Sequence, residues 1–316
     1  MRVKPERILC ATDFSATSNH ALPYGIALAR EFGAKLYVCH VIDLSFIGLY
    51  DTTAFALTST EQELISYARE EIARLVGQPA IDWEPLILEG QPAMQIARAV
   101  EEHDIDLVIA ATHGRSGLTR LLIGSVTERL LRTLHRPLLV VRSPEHDFVA
   151  PAGDRIQLRR ILVGCDFSPH SHLAIGYGLS LAQEFEAEIH LMHVLEPSLY
   201  ESLTRPSTGL AEELQHAVRA ALERKLSALV PEEAQAWAEV KTILGVGHPH
   251  KELTRYAVEH EVDLIVLGVR GHSLVEELFI GSTTDRVIRQ APCPVLAVRA
   301  PARSAPSEQG KGEQKE

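Results

Sequence analysis

Two hydrophobic patterns alternate along the chain from its first residues. Residues 7–12 form a short, almost continuous apolar run, and residues 18–32 follow with apolar side chains at helical spacing (Ala21, Leu28, Phe32). Residues 35–42 read as a strand, 61–76 as a helix and 83–88 as a strand. Ala93, Ile96, Ala97 and Val100 then make the i, i+3, i+4, i+7 stripe of a further helix. Residues 106–111 are nearly all apolar, which suits a strand covered on both faces. A helix over about 125–134 and a fifth strand over 137–142 complete the series. Apolar strands alternating with amphipathic helices predict an α/β fold, a doubly wound parallel sheet with helices on both faces.

The same series then repeats. Arg7-Ile8-Leu9-Cys10-Ala11-Thr12-Asp13-Phe14-Ser15 returns as Arg160-Ile161-Leu162-Val163-Gly164-Cys165-Asp166-Phe167-Ser168, and the register holds without a gap through His40-Val41 and His193-Val194. A second block, residues 90–142, matches residues 247–299. The middle of each copy shows little similarity, as expected for surface connections. Two tandem domains are therefore predicted, over residues 1–145 and 158–300, with a linker over 146–157. Residues 301–316 are rich in Pro, Ser, Gly and charge and lack an apolar period, so a disordered tail is expected.

In doubly wound sheets, ligands bind beyond the carboxyl ends of the strands, where the winding reverses. The loops expected there hold Asp13-Phe14-Ser15 and Thr112-His113-Gly114 in the first copy, and Asp166-Phe167-Ser168 and Val269-Arg270-Gly271 in the second. Each fourth strand leads on to a helix start, Gly124-Ser125-Val126-Thr127 or Gly281-Ser282-Thr283-Thr284. Unpaired N–H groups and the helix dipole at such a start suit phosphate. Glycine admits close backbone approach, and Ser and Thr add hydroxyl donors. Two plainer readings stand beside this one: Asp13 and Asp166 as helix caps, and the glycines as turn residues without a ligand. His40 and His193 read as packed or hydrogen-bonded histidines.

The spacing Gly268-x2-Gly271-x9-Gly281-Ser282 resembles the signature of the ATP-binding universal stress proteins, and Asp166 and His193-Val194 fit the same pattern. The likeness extends over both copies. It implies five-stranded sheets in the order 3-2-1-4-5 and ATP bound with or without Mg2+, with the aspartate and second-strand valine at the adenosine end and the glycine–serine helix start at the phosphates. Carried over, one site comprises Ala11, Asp13, Val41, Ala111, Thr112, His113, Gly114, Gly124, Ser125, Val126 and Thr127. The other comprises Gly164, Asp166, Val194, Gly268, Val269, Arg270, Gly271, Gly281, Ser282, Thr283 and Thr284. Ala111 replaces the first glycine of the motif. Its methyl is expected to crowd the ribose or α-phosphate, which makes the second site the stronger. The resemblance also implies pairing through the fifth strands, as an intrachain pseudo-dimer or a homodimer.

Composition narrows the function. The net charge of −11 disfavours nucleic acid, which needs a basic stripe. No apolar run nears the roughly 20 residues of a membrane helix, and no secretory signal is visible, so a cytoplasmic protein is expected. The four cysteines stand singly in apolar runs and read as structural thiols. His170-x-His172 and His248-x-His250 lack nearby cysteines, and no metal site is expected. No phosphate-loop Lys, nucleophile elbow or metalloprotease motif is present, so no catalytic residue is assigned. The expected function is an ATP-binding stress or signalling module whose occupancy modulates an unidentified protein partner. The alternatives are a slow ATPase or phosphotransferase, and a scaffold of the same fold without nucleotide.

Overall fold

The first copy runs β1 (Arg7–Ala11), α1 (Ala16–Asn19), α2 (Leu22–Phe32), β2 (Lys35–Ile42), α3 (Leu57–Val76), β3 (Trp83–Glu89), α4 (Pro92–Glu102), β4 (Leu107–Ala111), α5 (Ser125–Thr133) and β5 (Leu138–Val141). The second runs β6 (Arg160–Gly164), α6 (Pro169–Phe185), β7 (Glu188–Leu195), α7 (Leu210–Ser227), α8 (Glu232–Gln235), β8 (Val240–Val246), α9 (Pro249–Glu259), β9 (Leu264–Gly268), α10 (Ser282–Gln290) and β10 (Val295–Val298). This computed structural model describes residues 3–43, 57–112, 123–142, 146–150, 155–196, 210–269 and 280–299. The expected tail, residues 301–316, lies outside them.

Within each copy the strands are parallel, and β1 and β6 sit centrally: β1 pairs with β2 (Ala11 opposite Cys39) and with β4 (Cys10 opposite Ile109). The full order is β3-β2-β1-β4-β5-β10-β9-β6-β7-β8, so the two sheets form one sheet of ten strands. Antiparallel pairing of β5 with β10 makes the join, with Leu139 opposite Leu296. Both strands are fully buried, and neither remains an edge open to a further strand.

Alternate side chains on each strand feed opposite faces. Ile8 and Cys10 join one apolar layer with α2, α6, Ile161 and Val163, while Leu9 joins the other with α4, α5, Leu162 and Ile265. Close packing of α6 on the sheet uses Gly178, where a Cβ would stand 2.5 Å from Val163 Cγ2.

One helix was expected over residues 18–32, and the structure breaks it. Pro23 would fall in the interior of a helix running from Ala16 to Phe32, where its ring clashes with the carbonyl four residues back. The chain instead turns at His20 and restarts, with Pro23 in the first turn of α2. Gly176 occupies the matching position in the second copy, and α6 is continuous.

Part of the expected linker is built into the fold. Phe148 and Val149 are buried, and Val149 bridges Ile156. Asp147 accepts a hydrogen bond from the Tyr24 hydroxyl at 2.5 Å and lies 2.9 Å from His20, while His146 lies 2.6 Å from Asp263. Asp263 also accepts from the N–H groups of Arg159 and Arg160, as Asp106 does from Glu6 and Arg7. Each aspartate thereby ties the start of its fourth strand to the start of its first.

Candidate functional site

The turn after each first strand has the same geometry in both copies. Asp13 Oδ1 accepts from the Ser15 N–H at 3.0 Å, and Asp166 Oδ1 from the Ser168 N–H at 3.0 Å. Ser15 then caps α1 through Ser18 N–H at 3.1 Å, and Ser168 caps α6 through Ser171 N–H at 3.2 Å. The capping role weighed for the aspartates belongs to the serines two residues later. The aspartates fix the turn itself.

Between them stand Phe14 and Phe167, at φ of 65° and 63°. A bulky residue in the left-handed region is costly and persists only when its surroundings hold it there. Here the ring supplies the hold: Phe14 stacks on His40 with centroids 4.0 Å apart, and Phe167 packs on His193 at 4.6 Å. Each imidazole is anchored in turn, His40 Nδ1–H donating to Thr12 O at 2.9 Å and His193 Nδ1–H to Cys165 O at 2.8 Å. Burial pushes the His193 pKa below its ordinary value. Sequence reasoning passed over the two phenylalanines, although their recurrence inside Asp-Phe-Ser was a visible signal.

The pairing of β1 with β4, and of β6 with β9, brings these turns beside the ends of the fourth strands. There the structure corrects two expectations. Thr127 and Thr284 were read as hydroxyl donors to a ligand, but both are buried. Thr127 Oγ1 donates to Ala111 O at 2.6 Å and Thr284 Oγ1 to Gly268 O at 2.8 Å. They pin each helix start to its strand. The Gly124 and Gly281 N–H groups likewise donate to the carbonyls of Thr112 and Val269. The groups presented outward are those of Ser125 and Ser282, both exposed, with Val126 and Thr283 half-buried beside them. The N-cap residues Gly124 and Gly281 have no side chain with which to cap α5 and α10, and the positive end of each helix dipole faces this edge.

The second correction concerns Gly268. A Cβ on it would lie 2.8 Å from the backbone carbon and 2.9 Å from the backbone oxygen of His170, in the first turn of α6. The glycine makes room for the helix. Its counterpart Ala111 is itself buried, 8% exposed, so its methyl packs within the protein. The methyl expected to crowd a ligand is thus mostly covered by the protein's own atoms.

The two turns also differ in what lies beside them. Lys225 on α7 sits over the Phe167 ring, 4.1 Å from its centroid, whereas Phe14 meets Tyr67 of α3 edge-on at 6.3 Å. The second site thus has a cation beside its acidic turn. Lys225 comes from the stretch in which the two copies do not align, which hid it from repeat analysis.

Ala11 and Gly164 end the central strands, and Val41 and Val194 lie near the ends of β2 and β7, on the same edge. His113, Gly114, Arg270 and Gly271 lie outside the described residues. Among the described residues, no three His, Cys, Asp or Glu side chains gather as a metal site. Burial pushes the thiols of Cys10 and Cys39 up to about 12, which suppresses thiolate chemistry. No described helix is long and apolar enough to cross a membrane.

Fold and site together define a tandem, doubly wound α/β protein that gathers an acidic turn and a helix start at the carboxyl edge of each parallel half-sheet. Residues 5–142 and 157–299 each match the universal stress protein family, and the chain belongs to that family, with two tandem family domains. A universal stress protein of Methanocaldococcus jannaschii is 36% identical over 147 residues, covering 45% of this chain and 85% of the relative. One of Synechocystis is 22% identical over 317 residues, covering 93% of this chain and 100% of the relative. The crystal structure of a universal stress protein from Archaeoglobus fulgidus has the same fold across both copies. Its TM-score is 0.67 at 24% identity, covering 94% of this chain and 97% of that one.

Proposed function

We propose that the protein is a cytoplasmic ATP-binding module of the stress response whose nucleotide occupancy changes its association with a protein partner. The observation that carries this reading is the duplicated pairing, on adjacent strands, of an aspartate-fixed turn with a helix start whose N-cap is glycine. In this reading Asp13, Asp166, Val41 and Val194 meet the adenosine end. The N–H groups and hydroxyls of Ser125, Ser282 and Thr283 meet the phosphates, with or without Mg2+. Thr127 and Thr284 position the helix rather than touch the nucleotide. Lys225 adds positive charge at the second site, which favours that site for an anion.

Rapid turnover is not part of the proposal. Outward-facing N–H and hydroxyl groups stabilise bound phosphate in the ground state. Acceleration needs groups that interact more strongly in the transition state. Binding without turnover lets occupancy follow the ATP level, because a ligand that favours one conformation shifts its population.

A scaffold of the same fold without nucleotide is the second reading. It is favoured by Gly268 and Thr284, motif residues with structural duties of their own. Mass spectrometry of nucleotide released from the purified protein, followed by ATP titration calorimetry, separates the two. Saturable ATP binding supports the module, and its absence at millimolar ATP supports the scaffold.

A further inference from the structure

At the opposite edge of the strands, between the two copies, lies a cavity of about 250 Å³. Matched residues of the repeat line it in pairs: Leu28 and Leu181, Phe32 and Phe185, and Leu139 and Leu296, the last being ladder partners at the β5–β10 join. The two phenylalanine rings meet edge-on, with centroids 6.0 Å apart.

The surroundings of this cavity are not symmetric. On the first copy's side, Tyr24 is covered by the segment between the domains. Its hydroxyl donates to Asp147 at 2.5 Å, its ring meets Phe148 at 4.9 Å, and His20 lies 2.9 Å from the same carboxylate. An anion and an apolar ring, adjacent in the chain, dock together on a tyrosine and a basic side chain.

Tyr177 is the counterpart of Tyr24 in the second copy, and it lines the cavity. Carried on past Arg299, where the match ends, the register of the repeat would set Ser304 and Ala305 against Asp147 and Phe148, and these residue types carry neither an anion nor a ring. Leu173 stands where the first copy has His20, and the basic partner comes from another element. Arg136 lines the cavity and acts electrostatically on the Tyr177 phenol, with Lys4 and His135 also in the wall. Burial raises the Tyr177 pKa, so the phenol remains a hydrogen-bond donor. Asp106 is the opposing charge in the wall and acts on the Tyr177 phenol more strongly than Arg136 does, with its Oδ2 engaged by the backbone N–H groups of Glu6 and Arg7.

We propose that this cavity is a binding site for a small amphipathic carboxylate, an aryl or short acyl acid. It places its carboxylate at Tyr177 and Arg136 and its apolar part against the leucines and phenylalanines of the wall. The ligand repeats on the second copy what Asp147 and Phe148 do on the first. The size agrees: an apolar cavity of about 150 Å³ takes benzene, so this one takes a phenyl ring with a short chain. The site is separate from the nucleotide edge and does not depend on ATP binding.

The probe is 3-phenylpropanoate, titrated into the full chain by calorimetry against the neutral 3-phenylpropan-1-ol. Saturable one-to-one binding is expected, about tenfold tighter for the acid, weakened about tenfold by Arg136→Gln and less by Tyr177→Phe, as loss of one hydrogen-bonded partner predicts. ATP should not displace it. Leu181→Trp should fill the cavity and abolish binding; if that variant fails to fold, Arg136→Gln carries the test. Four results overturn the proposal: no saturable binding, equal affinity for the alcohol, affinity unchanged in Arg136→Gln, or displacement by ATP. Binding seen only after removal of residues 301–316 would assign the cavity to the chain's own tail and overturn it as well.

Discussion

Arg299, at the end of the second copy's last strand, donates through Nη1 to the carbonyl oxygen of Arg132 in the first copy at 2.7 Å and through Nη2 to that of Leu131 at 3.1 Å. Its counterpart Arg142 makes the reciprocal bond to the carbonyl of Arg289. Each guanidinium thus meets the last turn of the other copy's helix, α5 or α10, where carbonyls lack partners and the dipole is negative. The antiparallel pairing of β5 with β10 carries both arginines to these positions, so sheet continuity and the arginine clasp are one interface.

Arg299 is 5% exposed, so its loss leaves carbonyls unsatisfied away from water. Arg299→Met is expected to cost about 2 kcal/mol, the range for buried bonds to a charged group. Urea unfolding reads this directly. An unchanged midpoint would mean the clasp adds nothing to the β5–β10 pairing.

Gly268→Ala should destabilise the second copy by about 1–3 kcal/mol, because the new methyl meets the His170 backbone rather than a side chain that can turn away. The reverse exchange, Ala111→Gly, should leave ATP affinity at the first site unchanged and cost about 0.5–1 kcal/mol through backbone entropy. Thermal unfolding and ATP titration of both variants decide this. A tighter first site in Ala111→Gly would restore the crowding explanation.

For the nucleotide, Gly281→Val is expected to obstruct the start of α10 and remove most binding at the second site. Lys225→Ala should weaken that site about tenfold or less, the scale of one exposed charge contact. Calorimetry that returns wild-type stoichiometry and affinity for Gly281→Val would move the phosphates elsewhere.

Hydrolysis should be slow. Single-turnover measurements with Mg2+ are expected to give a rate well below about 1 s⁻¹, the lower end of ordinary enzymes. Faster turnover that disappears in Ser282→Ala would make the protein an enzyme.

The pairing of His20 with Asp147 sets a pH dependence. The Asp147 carboxylate, 2.9 Å from His20 Nε2, raises the His20 pKa above the ordinary value, against a smaller opposing effect of burial. The folded pKa therefore exceeds the unfolded one of about 6.5. The stabilisation is complete below that unfolded value and is lost as the pH rises through the raised folded value. The stability difference between wild type and His20→Asn should be largest below the ordinary histidine value of about 6.5 and shrink as the pH rises above it. A difference that is flat or grows with pH would contradict the pairing.

Much of this protein was legible in its residues. The alternation of apolar runs with helical stripes, and the return of Asp13-Phe14-Ser15 as Asp166-Phe167-Ser168, gave both domains and the edge where the candidate site lies. Local patterns suffice for this, because periodicity and turn chemistry act over a few residues. Tertiary structure decided what each motif residue does. Gly268 faces the backbone of His170, Thr127 and Thr284 donate to strand carbonyls, and Ser15 and Ser168 cap helices for which aspartates were equally suited. Such assignments depend on which atoms lie within about 3 Å after packing, and similar spacing in sequence leaves them open. The cavity beside Tyr177, the clasp of Arg299 and the approach of Lys225 to Phe167 join residues remote in the chain. Their positions follow from how the two half-sheets and the helices covering them pack, and no local pattern encodes that packing.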